Sequence, residues 1–193
     1  MDLVTDALKD RYREPQRRYH TLQHVAELLA LLDAHRAALA DPAAVHLAIW
    51  FHDAVYEPMA PRGDNERRSE ALFAAEWQDA GGASAAPRLR LVSDMIIATI
   101  DHDVSRAHPS DVAYFLDFDM SILGAPDGRY REYAGQVRGE YPDVPDSAYR
   151  AGRSAFLRGA LEKPVLFYTP TFRALCDAAA RGNMRWELDQ LRG

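Results

Sequence analysis

The sequence predicts an all-α fold in a single domain spanning residues 1–193, and three observations carry that expectation. Apolar residues recur at three- and four-residue spacing, as on one face of a helix. Capping residues followed by proline, and glycines at the far ends, divide the chain into helix-sized pieces. Nowhere do four or more residues alternate apolar and polar as a half-buried strand requires.

Val25, Leu28, Leu29 and Leu32 form the first stripe. Asp41-Pro42 reads as an N-cap with proline at the first helical position, opening a helix that runs to His52. Asp64 is expected to cap a helix starting near Asn65, with Gly81-Gly82 ending it. Leu89, Val92, Met95, Ile96 and Thr99 make the next stripe. Ser110 is expected to cap a helix running through Asp119 to Gly124. Thr169-Pro170 repeats the cap-plus-proline signal for a last helical region, which Gly182 is expected to interrupt. Val165-Leu166-Phe167-Tyr168, between Pro164 and Pro170, reads as a buried connector.

No apolar run approaches the roughly 20 residues that cross a bilayer, so no membrane association is expected. The N-terminal stretch lacks the apolar core of a signal peptide. Cys176, the one cysteine, excludes an internal disulfide and suits a reducing cytoplasm; among Leu175, Ala178 and Ala179 it reads as a small buried hydrophobe. A net charge of −6 argues against duplex nucleic acid as a partner. A small anionic substrate stays open, because Arg11, Arg13, Arg17 and Arg18 form a local basic cluster.

Against this background His24, the pair His52-Asp53, and Asp119 stand out. Imidazoles and carboxylates together hold divalent transition metals. On a regular helix Asp117 and Asp119 diverge by roughly 200°. Asp119 then shares its side with Phe115, Leu116 and Ile122, and a carboxylate on an apolar face needs a cation or several donors. Asp117, beside Ala113, Tyr114 and Ser121, is expected to need neither. Adjacent residues in a helix diverge by about 100°, so His52 and Asp53 can serve one ion only near a helix end, and the Ala54–Pro58 stretch looks like that exit. His20 and His24 share a face, but the glutamate of the zinc-protease motif is absent. His20 is read as facing substrate or hydrogen-bonding at the helix start; His35, His46 and His108 are assigned to ordinary hydrogen bonding.

The chain resembles the HD-domain superfamily, whose signature is His, then His-Asp, then Asp on separate helices. More closely it is similar to small stand-alone predicted metal-dependent HD phosphohydrolases. The stretches that carry this are Arg18–Val25, Trp50–Tyr56, Asp64–Ser69, Ala98–His102 and Phe115–Gly124, with Tyr141-Pro142 through Tyr149 and Gly152-Arg153 following. The resemblance implies an HD-type helical bundle with His24, His52, Asp53 and Asp119 as ligands of one divalent transition metal (Mn, Fe, Co, Ni or Zn). His102 is the candidate for extending the site to a second ion, or for binding phosphate or protonating the leaving group.

The activity so implied is hydrolysis of a small phosphate ester or nucleotide through a metal-activated water. Asp53, Glu66 and His102 are the catalytic candidates, with Glu66 preferred over Glu70 as general base. Arg18, His20, Asn65 and Arg153 are the candidates for substrate, Arg18 through its forked donors; Arg17, Arg67 and Arg153 rank below it. Two rivals remain: a metal-stabilised module that senses a nucleotide without turning it over, and an iron-dependent oxygenase with a second metal.

Overall fold

The computed structural model describes residues 3–82, 86–104 and 110–192, and no strand occurs among them. The helices run α1 (Asp6–Arg11), α2 (Leu22–His35), α3 (Pro42–Phe51), α4 (Asp64–Asp79), α5 (Ala86–Ala98), α6 (Ser110–Met120), α7 (Asp127–Gly139), α8 (Asp146–Glu162) and α9 (Pro170–Arg192). Tight 3-10 turns at Arg36–Ala38 and Ser121–Gly124 extend α2 and α6. The chain forms two compact units, Met1–Phe118 and Asp119–Gly193. The all-α expectation holds, and none of the described helices is long and apolar enough to cross a membrane.

In the first unit α3 is the central element. The Asp41 side chain accepts from Ala44 N at 3.1 Å, and Pro42 gives up an N–H that the helix start would leave unbonded anyway. Ala44, Val45, Ala48, Ile49, Trp50 and Phe51 are all buried, Pro42, Ala43, His46 and Leu47 form the more open side, and α2, α4 and α5 pack against α3. The stripe expected on α2 is there, with Val25, Leu28 and Leu32 buried. The α5 stripe follows as Val92, Met95, Ile96 and Thr99. Each fully buried aliphatic or aromatic side chain adds about 1.5–3 kcal/mol relative to exposure.

Within the second unit α9 lies against the Ser121–Gly124 turn and α8. The Thr169 side chain accepts from Phe172 N at 3.2 Å, which fulfils the cap-plus-proline signal. Leu166 and Phe167 are buried outside any strand, as expected for a connector. Asn183 Nδ2 donates to Leu123 O at 2.8 Å and Ala125 O at 2.9 Å, satisfying carbonyls that the 3-10 turn leaves over. Arg153 and Glu187 form a buried pair at 2.8 and 3.1 Å, joined by the Tyr130 hydroxyl at 2.6 Å. Burial and the Glu187 charge push the Tyr130 hydroxyl far above its ordinary pKa.

Several expectations are corrected. Asp64 is the first helical residue of α4 rather than its cap; Gly63, at φ 79°, takes the left-handed conformation that a glycine adopts without strain. Ser110 likewise begins α6, which ends at Met120 and tightens into 3-10 geometry before Gly124. Helix α9 passes Gly182 unbroken, since neighbours on both sides along the helix supply the packing that a local propensity deficit of ~1 kcal/mol cannot outweigh. Cys176 is half-exposed rather than buried. Its backbone instead carries the contact: a Cβ at Gly124 would sit 2.6 Å from Cys176 Cβ and 2.9 Å from its Cα.

Two glycine substitutions should therefore act in opposite directions. Gly182→Ala, exposed in a helix interior with open space around the new methyl, should stabilise by about 0.5–1 kcal/mol. Gly124→Ala should destabilise by roughly 1–3 kcal/mol, because backbone must move to admit the methyl. Thermal unfolding followed by circular dichroism measures both, and a melting temperature raised by Gly124→Ala would contradict the close approach.

Candidate metal centre

The centre begins with the way α3 ends. His52 is its C-cap, with N bonded to Ala48 O at 2.9 Å, and Ala54 N closes a turn onto Phe51 O at 3.1 Å. His52 keeps helical dihedrals and the chain leaves the helix just past it, where His52 Nε2 lies 3.0 Å from Asp53 Oδ2. The expected helix exit is where the sequence places it.

His24 enters from the first turn of α2, which the Thr21 side chain caps at Gln23 N. Its Nε2 lies 3.3 Å from His52 Nε2 and 3.7 Å from Asp53 Oδ2. Both imidazoles are almost fully buried. His52 Nδ1 points at Ile49 O, 3.0 Å away; a carbonyl only accepts, so Nδ1 carries a proton and Nε2 is the atom turned inward. Such an orienting bond is usual for metal-ligating histidines.

Asp119 comes from the last turn of α6. Phe115, one turn earlier on the same side, meets the His52 ring edge-on at 5.6 Å between centroids. Ligand atoms of His24, His52 and Asp119 all lie within 4.8 Å of one another, so these three residues form a group that can hold a metal ion. Asp53 adjoins them through its contacts to both imidazoles.

Donors about 2.1 Å from a common ion would be separated by roughly 3.0 Å at right angles and about 3.4 Å at tetrahedral angles. The 3.3 Å between imidazole nitrogens and the 3.0 Å from His52 to Asp53 fit that range. The donor set is mixed nitrogen and oxygen, which suits a divalent first-row transition ion better than calcium. Burial works to raise the Asp53 pKa, but the charges of His52 and His20, the His52 hydrogen bond and the His24 charge hold this carboxyl below the usual carboxylate range.

Asp117 overturns the face argument made for α6. It is fully buried, whereas Asp119 is half-exposed. Val112, Phe115, Leu116 and Phe118 are buried too, so α6 lacks the single wet side on which Asp117 was expected to lie. At the other end of α6, Asp111 anchors the helix. Its Oδ1 accepts from Ala40 N at 2.8 Å and its Oδ2 from Asp41 N at 2.7 Å, tying the start of α6 to the start of α3. Acidic residues in a first turn are common, and nothing in the sequence marked this one out.

The backbone after Trp50 is fastened at nearly every step. Tyr12 Oη donates to Trp50 O at 2.9 Å. Arg17 donates through Nη1 to Asp53 O at 2.9 Å and through Nη2 to Ala54 O at 3.3 Å. Ser69 Oγ accepts from Val55 N at 3.0 Å. Gln16 Nε2 donates to Tyr56 O at 3.1 Å, and Asn65 holds both Glu57 N and Glu57 O at 3.0 Å. Both polar atoms of the Asn65 side chain are thus engaged with the loop.

The other candidates are placed as follows. His20 is half-buried and stacks on Tyr56, ring centroids 4.3 Å apart, with the His24 ring at 5.9 Å. Arg18 is exposed, its Nη1 donating to Pro15 O and Arg17 O. Arg153 gives its guanidinium fork to Glu187, within the second unit. Glu66 is half-buried in the first turn of α4, while Glu70 accepts from Ser93 Oγ at 2.7 Å. His102 follows α5 in a turn with φ 46°, a region in which histidine is over-represented. His35 packs on Tyr114 and Phe118 and His46 is half-buried; His108 lies outside the described residues.

Replacing Asp111 with Ala should cost about 1–3 kcal/mol, since two backbone N–H groups lose a charged acceptor in a buried place. Chemical denaturation measures this, and a loss below about 0.5 kcal/mol would show that α6 is anchored otherwise.

No family model, curated protein or solved structure matches this chain.

Proposed function

We propose that this protein is a metal-dependent phosphohydrolase acting on a small phosphate ester or nucleotide, as the HD-type order of His24, His52-Asp53 and Asp119 implies. The observation that carries the reading is the meeting of two buried Nε2 atoms 3.3 Å apart beside the carboxylates of Asp53 and Asp119. The two buried imidazoles need something to compensate their desolvation, and a divalent ion shared with the half-exposed carboxylates does so.

When bound, the ion supplies Lewis acidity, lowering the pKa of a water and polarising a phosphoryl oxygen. The chain supplies the rest. His24, His52, Asp53 and Asp119 hold and orient the ion, and the Ile49 carbonyl keeps His52 in the tautomer that ligates. Glu66 accepts the proton of the attacking water; His102 donates to the leaving group; His20 and Arg18 bind the phosphate. Negative charge over the whole chain, −6, disfavours a long polyanion as substrate and leaves a small one. One cysteine and no membrane-length helix among the described residues suit a cytoplasmic enzyme.

A screen of phosphate esters and nucleotides with manganese, nickel and cobalt tests the activity. Asp53→Ala should abolish both phosphate release and bound metal while leaving the far-ultraviolet helical signal intact; full turnover in that variant would remove the mechanism. Glu66→Gln should keep the metal yet lower kcat by about 10²- to 10⁴-fold, the usual contribution of a general base. Unchanged turnover would assign the base elsewhere.

A further inference from the structure

Arg17 is buried, although a guanidinium is costly to remove from water unless its donors are met. Here they are met by four acceptors. Nε donates to Glu14 Oε2 at 3.2 Å, Nη1 to His20 O at 3.0 Å and Asp53 O at 2.9 Å, and Nη2 to Ala54 O at 3.3 Å. Its charge also lies against the Tyr12 and Tyr56 rings, at 5.0 and 5.2 Å from their centroids.

The carbonyls matter because of where they belong. His20 O lies in the turn that leads into α2 and so to His24; Asp53 O and Ala54 O belong to the exit of α3. One rigid, planar fork therefore fastens together the two stretches of chain that bring His24 and Asp53 within 3.7 Å. Adjacent Arg18 is exposed, its Nη1 turning back to the Pro15 and Arg17 carbonyls.

We infer that Arg17 is a positioning residue that sets the divalent-metal affinity of the His24–His52–Asp53–Asp119 centre, by fixing the α3 exit against the approach to α2. The inference rests on the metal-site reading above. Arg17 contacts neither ion nor substrate; it acts through the backbone of Asp53 and His20. Lysine at this position keeps the charge but offers a point donor in place of the fork, so it restores one carbonyl contact and not the set.

The test is a titration of metal-free protein with Co²⁺, following visible absorption, which reports both affinity and the geometry of the donors. Arg17→Met keeps an apolar stem and should weaken Co²⁺ binding by roughly 10- to 100-fold, the range found when groups behind metal ligands are removed. Arg17→Lys should fall between and change the band shape at saturation. Phe73→Leu, a core truncation beside Phe51 and Trp77, should lower the melting temperature and leave the Co²⁺ dissociation constant unchanged. Should Arg17→Met not fold, Arg17→Lys decides by the same two readouts. Wild-type affinity and spectrum in the Arg17 variants, with binding lost in Asp53→Ala, would overturn the positioning role alone. Absence of Co²⁺ binding by the wild-type protein would instead overturn the metal reading, and this inference with it.

Discussion

Helix α3 gives way just past His52, which keeps helical dihedrals and bonds to Ala48 O, and there Asp53 Oδ2 comes within 3.0 Å of His52 Nε2. A continuous helix would set the two side chains about 100° apart and hinder their meeting at one ion. Pro58 bars a helix from running on past Glu57, but Ala54 and Val55 are not breakers of that strength and leave the exact stop to the surroundings. The stop is imposed from outside. Tyr12, Arg17, Ser69, Gln16 and Asn65 take up backbone groups between Trp50 and Glu57 that continued helix would have used itself.

That arrangement explains the polar residues around an apolar interior. The core of the first unit is aliphatic and aromatic, and α3 contributes six of its ten residues to it. Its buried polar groups include Arg17 and Asp111, each held by defined partners, and His24 and His52, which converge on one another. Buried polar sets of this kind trade stability for a unique geometry. Rigid placement of donors is what a metal centre needs, because coordination tolerates little displacement.

Much of this was legible in the sequence. Asp41-Pro42 and Thr169-Pro170 announced two helix starts because a capping oxygen and a missing N–H act locally. The His52-Asp53 pair could be placed at a helix end from geometry alone. What escaped prediction depends on distant partners. Asp117 was misread because a two-faced helix was assumed, and α6 is buried on almost every side. Arg17 and Arg18 are identical side chains one position apart; only the turn geometry decides which points inward. Gly182 was taken for a break because local propensity was weighed without the long helix that carries it. Aromatic residues at Tyr12, Tyr19 and Tyr56, flanking a non-helical basic stretch, were the one signal that a cation there would be sheltered.

The central claim is that two imidazoles and two carboxylates grip a single ion, and diffraction tests it most directly. Crystals soaked in Mn²⁺ and measured at the manganese absorption edge should show one anomalous peak per chain. The account predicts it about 2.0–2.4 Å from His24 Nε2, His52 Nε2 and an oxygen each of Asp53 and Asp119. A peak bound by other residues, or no peak at an occupancy sufficient to see sulfur, would contradict it.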